Sequence, residues 1–133
     1  MLRTLFAPIM LAAALFSAPV LASEPAAPFE PFSIERFEAL QKASRPILVE
    51  VYADWCSTCR VQSPILTRLL GEEEFNEVVG LKLDWDSQRD EARALGAPRQ
   101  STLFVFRGGE RQVMSVAETD EKRLREVLAT ALD

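Results

Sequence analysis

Histidine is absent from this sequence, cysteine occurs only at Cys56 and Cys59, and no block of basic residues stands anywhere along the chain. Each absence closes a class of function. Two thiolates are half of a tetrahedral metal shell, and with no histidine to complete it, neither a metal nor another cofactor is expected within one chain. A net charge of −5, with acids and bases interspersed, offers no footprint for nucleic acid and no general attraction to anionic membranes. Internal repeats and low-complexity tracts are also missing.

What is present begins with a targeting pattern. Residues 1–22, MLRTLFAPIMLAAALFSAPVLA, carry one positive charge at Arg3, continue as an Ala-, Leu- and Phe-rich run, and end in Val20-Leu21-Ala22. That order predicts a cleaved secretory signal, with the exported chain starting near Ser23. The rival is an uncleaved anchor, since the apolar run approaches the roughly 18 residues of a spanning helix; Pro8, Pro19 and the alanines count against it. A periplasmic or otherwise exported chain lives where disulfides persist, so both cysteines are expected to spend time oxidised.

The three prolines in residues 23–31, SEPAAPFEP, predict an N-terminal arm or linker, leaving 32–133 as one domain. Ser33 is placed to cap a helix on which Ile34, Phe37 and Leu40 recur. PILVEVY, residues 46–52, is nearly all apolar and reads as a strand buried on both faces. A helix follows the cysteines, with Val61, Ile65, Leu66, Leu69 and Leu70 on one stripe, Pro64 expected to kink it and Gly71 to stop it. A second buried strand is expected over 78–85 despite Gly80, then a short helix capped by Ser87 and ended at Gly96. Gly108-Gly109 between apolar runs predicts a tight hairpin within 101–116, and Leu124, Val127, Leu128, Ala131 and Leu132 mark a last amphipathic helix. The fold class is α/β, a mixed sheet with helices on both faces.

Cys56 therefore stands just past a central strand, at the opening of a helix. Unpaired backbone N–H groups and the positive end of the helix dipole favour a thiolate there, which marks Cys56 as the accessible nucleophile. Cys59, one turn along, is expected to face inward and act as the resolving thiol. A purely structural disulfide is the competing reading, but so small a loop gains little from closure.

The stretch PILVEVYADWCSTCR resembles the active-site segment of thioredoxin-like proteins, and the resemblance extends from about Phe32 to Asp133. It implies a thioredoxin fold and a protein thiol–disulfide oxidoreductase acting on disulfide-containing protein substrates. By the same resemblance Glu50 is the buried acid that moves the proton of the second cysteine, and Lys82 is its partner. Trp55 would give substrates an apolar surface beside the reactive sulfur, and Gln100, Ser101 and Thr102 would form the loop that docks them.

The family nearly always has a cis-proline where Ser101 stands. A cis bond before a non-proline residue costs about 3–4 kcal/mol, so the Gln100–Ser101 peptide is expected to be trans. Ser57 and Thr58 carry no charge and no histidine is present, so a reductant is expected, with a weak oxidase or isomerase, or a redox-sensing or metal-handling module, as alternatives. An exported reductant would draw electrons from a membrane-bound donor. A monomer is expected.

Overall fold

The computed structural model describes residues 28–132. The predicted signal sequence, and most of the predicted arm, lie outside the described residues. The arm ends earlier than expected: Phe29–Pro31 form an edge strand, β1, rather than the tail of a linker. Three residues, preceded by Pro28 and ending in Pro31, carry no periodic pattern that would announce a strand; parallel pairing with a later strand creates it.

The chain continues through α1 (Ile34–Lys42), β2 (Ile47–Tyr52), α2 (Ser57–Leu70), a 3₁₀ turn at Glu73–Phe75, β3 (Val79–Asp84), α3 (Arg89–Leu95), β4 (Thr102–Arg107), β5 (Glu110–Val116) and α4 (Glu121–Ala129). The sheet order is β1-β3-β2-β4-β5. β1, β3 and β2 run parallel, while β4 lies antiparallel to β2 and β5 antiparallel to β4. This is the mixed sheet that the sequence predicts.

Local chemistry explains most boundaries. Ser33 caps α1 by accepting the Arg36 N–H at 3.1 Å. Gly96 ends α3 in the left-handed conformation, and Gly108 and Gly109, both at positive φ, turn β4 into β5. Ser87 does not cap α3. The Asp84 carboxylate takes the Asp86 and Ser87 N–H groups in a turn of its own, so the helix starts later, after Gln88. Gly80 sits where a side chain cannot: a Cβ there would stand 2.5 Å from the Pro28 carbonyl and 2.8 Å from Leu70 Cδ1. Its glycine lets β1 and α2 close on β3.

The two faces of the sheet carry separate cores. Phe32, Phe37, Phe104 and Phe106 join Val49, Val51, Leu81 and Leu83 beneath α1 and α3. Leu48, Leu66, Leu69, Leu103, Leu124 and Leu128 pack beneath α2 and α4. Three residues predicted to share in these cores do not: Ile34, Val61 and Leu132 are exposed. In α2 the buried stripe runs Cys59, Gln62, Ser63, Leu66, Leu69, Leu70, a correct period with the opening phase set by polar residues. Pro64 lies on the solvent side, and α2 runs unbroken through it.

Candidate active site

The buried strand β2 ends at Tyr52, and Ala53 to Trp55 turn the chain into α2. Cys56 is the N-cap of that helix. Its Sγ accepts the Cys59 N–H at 3.1 Å, the place usually taken by a serine or aspartate oxygen. Sulfur thus receives one of the helix's free donors at the positive end of its dipole, the environment that stabilises a thiolate. Cys56 and Cys59 are joined by a disulfide with Cα atoms 5.2 Å apart, within the range such bonds require. In this oxidised form the expected difference in exposure is slight, at 2% for Cys56 and 0% for Cys59. Ala53, Tyr52 and Trp85 pack around the pair.

Trp55 is 56% exposed, as an apolar surface beside the sulfurs requires, and its indole N–H donates to Asp86 Oδ2 at 2.8 Å. Asp86 fixes the ring, a partner that a lone acid in a loop does not advertise.

On β2, two residues before the strand ends at Tyr52, Glu50 is fully buried. Parallel register sets it opposite Lys82 on β3, and Lys82 Nζ approaches Glu50 Oε2 at 3.5 Å. The ammonium also stands over the Tyr52 ring at 4.5 Å and the Phe29 ring at 5.0 Å, so aromatic faces hold it in place. The other oxygen, Glu50 Oε1, accepts the Ser63 hydroxyl from α2. Burial pushes the Glu50 carboxyl above the usual carboxylate range, while Ser63 and Lys82 pull against it. Ser63 escaped the sequence reading, yet it lies four residues beyond Cys59, on the same helical face.

The loop before β4 departs from expectation. No cis peptide occurs among the described residues, so Gln100–Ser101 is trans as its cost predicts, and Ser101 takes φ +60°. Ser101 and Thr102 are fully buried. Their hydroxyls donate to the carbonyls of Gln100 and Arg99, at 2.5 and 2.7 Å. The Ser101 N–H donates to the Val51 carbonyl at 2.7 Å, and its carbonyl accepts the Ala117 N–H at 2.9 Å. Of the three loop residues expected to meet substrate, the side chains of Ser101 and Thr102 are spent inward and Gln100 alone is partly exposed. Position 101 has no free backbone group to offer an incoming strand. Among the described residues no group of three or more metal-binding side chains gathers.

The family model described as Thioredoxin matches residues 31–130. The chain belongs to the thioredoxin family. It is a thioredoxin-type thiol–disulfide oxidoreductase carrying its Cys-x-x-Cys at 56–59. Thioredoxin Asp f 29 of Aspergillus fumigatus is 32% identical over 74 residues, 56% of this chain and 67% of that one. A Chlamydia muridarum thioredoxin is 32% identical over 87 residues, covering 65% and 83% of the two chains. The crystal structure of Trxlp from Edwardsiella tarda superimposes with a TM-score of 0.73 at 33% identity, over 75% of this chain and 97% of that one.

Proposed function

We propose that this thioredoxin works outside the cytoplasm, chiefly as a reductant of partner-protein disulfides. The observation that carries this reading is Cys56 Sγ accepting the Cys59 N–H at the start of α2, with the buried Glu50 held by Ser63 one turn farther along that helix. In the reduced protein the Cys56 thiolate attacks a partner disulfide and displaces one partner sulfur as a thiolate. Glu50 takes the proton of Cys59, which attacks the mixed disulfide, re-forms Cys56–Cys59 and releases the second partner sulfur. The partner disulfide gains two electrons and the cysteine pair loses them. Lys82 steadies Glu50 in its charged form, and Trp55 offers the partner an apolar surface.

The uncharged Ser57-Thr58 pair and the absence of histidine favour the reducing direction, since nothing beyond the helix end stabilises the thiolate. The signal pattern of residues 1–22 supports export, and an exported reductant takes its electrons from a membrane-bound donor. One chain supplies both thiols and the acid, so a monomer suffices.

Insulin reduction with a chemical electron source tests the activity. Repeated turnover is expected from wild type and background from Cys56→Ser, while Cys59→Ser should trap mixed disulfides. A single stoichiometric event in place of turnover refutes the reading. N-terminal sequencing from the native host tests export, with a start near Ser23 expected and retained Met1 in a cytoplasmic fraction contradicting it.

A further inference from the structure

The Glu50 carboxylate is gripped from two elements at once. Lys82 reaches Oε2 from β3, and the Ser63 hydroxyl donates to Oε1 from α2, the helix that carries Cys59. We propose that Ser63 is a positioning residue for the resolving step: its hydrogen bond keeps the Glu50 carboxyl ionised and aimed at the face of α2 that holds Cys59. The inference rests on the reading of Glu50 as the base for Cys59.

Three observations converge on Ser63. It is buried in the stripe where α2 otherwise packs Leu66, Leu69 and Leu70, a place where an unpaired hydroxyl carries a desolvation cost. It follows Cys59 by four residues, so the two side chains are neighbours on one face. Its hydroxyl donates a hydrogen bond to a carboxylate oxygen, a bond made with the ionised form and weakened when Glu50 is protonated. Burial works against that ionised form, and the donors opposing it are Ser63 and Lys82. The charged and titratable groups facing Glu50 are Lys82 on β3 and Tyr52 on β2; β4 presents Leu103 opposite, and on α2 Cys59 stands one turn before Ser63. Ser63 therefore sets how much base Glu50 offers at neutral pH without itself taking part in bond exchange.

The test follows the resolving step by stopped-flow fluorescence across pH in wild type, Ser63→Ala, Ser63→Thr and Glu50→Gln. Ser63→Ala is expected to move the acid limb to higher pH, to slow the step at pH 7 by about ten- to a hundredfold, on the scale of one hydrogen bond to a charged group, and to recover at higher pH. Ser63→Thr, which keeps the hydroxyl, should restore the wild-type profile. Infrared titration of the oxidised protein gives a readout free of turnover: the protonated-carboxyl band absent from Glu50→Gln should persist to higher pH in Ser63→Ala. If Ser63→Ala slows the step equally at every pH, or leaves the band's titration where it was, Ser63 is a packing residue and the proposal is overturned while Glu50 keeps its role. If Glu50→Gln itself leaves the profile unchanged, the reading of Glu50 fails, and this inference with it.

Discussion

The two faces of the sheet solve different problems. Beneath α1 and α3 the core is aromatic, with Phe37 and Phe106 edge-on at 4.9 Å and Phe32 against Phe37 at 5.6 Å. Thr102, at the start of β4, is the buried polar residue that alternation assigns to this side, and its hydroxyl is satisfied by Arg99. Beneath α2 and α4 the core is mainly aliphatic, with Phe75 as its one fully buried ring among the described residues, and this side admits Glu50, Gln62 and Ser63 among its buried groups. Gln62 donates to the Glu118 carbonyl at 2.9 Å but leaves Oε1 without a hydrogen-bond partner, as Glu50 leaves Oε2 apart from the ion pair. A polar group buried without full compensation destabilises the fold. The redox helix tolerates this and the phenylalanine face does not, which separates a side that serves chemistry from a side that serves stability.

Phe104→Ala should test that division most severely. Removing a fully buried ring should destabilise the protein by about 3–5 kcal/mol in denaturant unfolding, with the rate of Cys56 alkylation in the folded protein unchanged. A large change in alkylation would join the two faces energetically. Ser101→Pro comes next, at the junction between them. Proline cannot donate to Val51 and cannot adopt φ +60°, so a loss of about 2–3 kcal/mol is expected unless the loop rebuilds. Unaltered stability would show that rebuilding is easy.

Glu50→Gln should act in the opposite sense. Because burial raises the Glu50 pKa, the folded state holds this proton more firmly than the unfolded state does. Its contribution to stability is full below the ordinary carboxylate range and is lost as pH rises through the folded value. The amide removes that slope and should stabilise the protein by about 1 kcal/mol at neutral pH, while slowing the resolving step. Thermal unfolding from pH 4 to 8 checks the sign; parallel curves for both proteins would deny the burial penalty. Val61→Ser should do least. Val61 is 53% exposed, so a change under about 0.5 kcal/mol is expected, and a larger one would return Val61 to the core.

Much of this was legible in the sequence because several signals agreed. A continuous apolar run leading into Trp-Cys-x-x-Cys fixes β2, the N-cap position of Cys56 and the burial of Glu50 together. Gly108-Gly109 fixes the hairpin by backbone freedom alone. Elements that depend on distant partners were hidden. β1 exists through pairing with β3, and Gly80, which weakens a strand pattern locally, is what permits that pairing. In α2 hydrophobicity pointed to Val61 and passed over Ser63, although counting four residues from Cys59 lands on the serine. Ser87 looked like a helix cap until Asp84 claimed its N–H. At Ser101 the sequence revealed the missing proline but not that both backbone groups would be consumed internally.

The direction of electron flow is the central claim, and the reduction potential of the Cys56–Cys59 couple, equilibrated against glutathione, tests it most directly. The uncharged Ser57-Thr58 pair and the lack of histidine predict a value near the thioredoxin range, about −270 mV. A value near that of strong disulfide oxidants, about −120 mV, would contradict the account and make this protein a donor of disulfides.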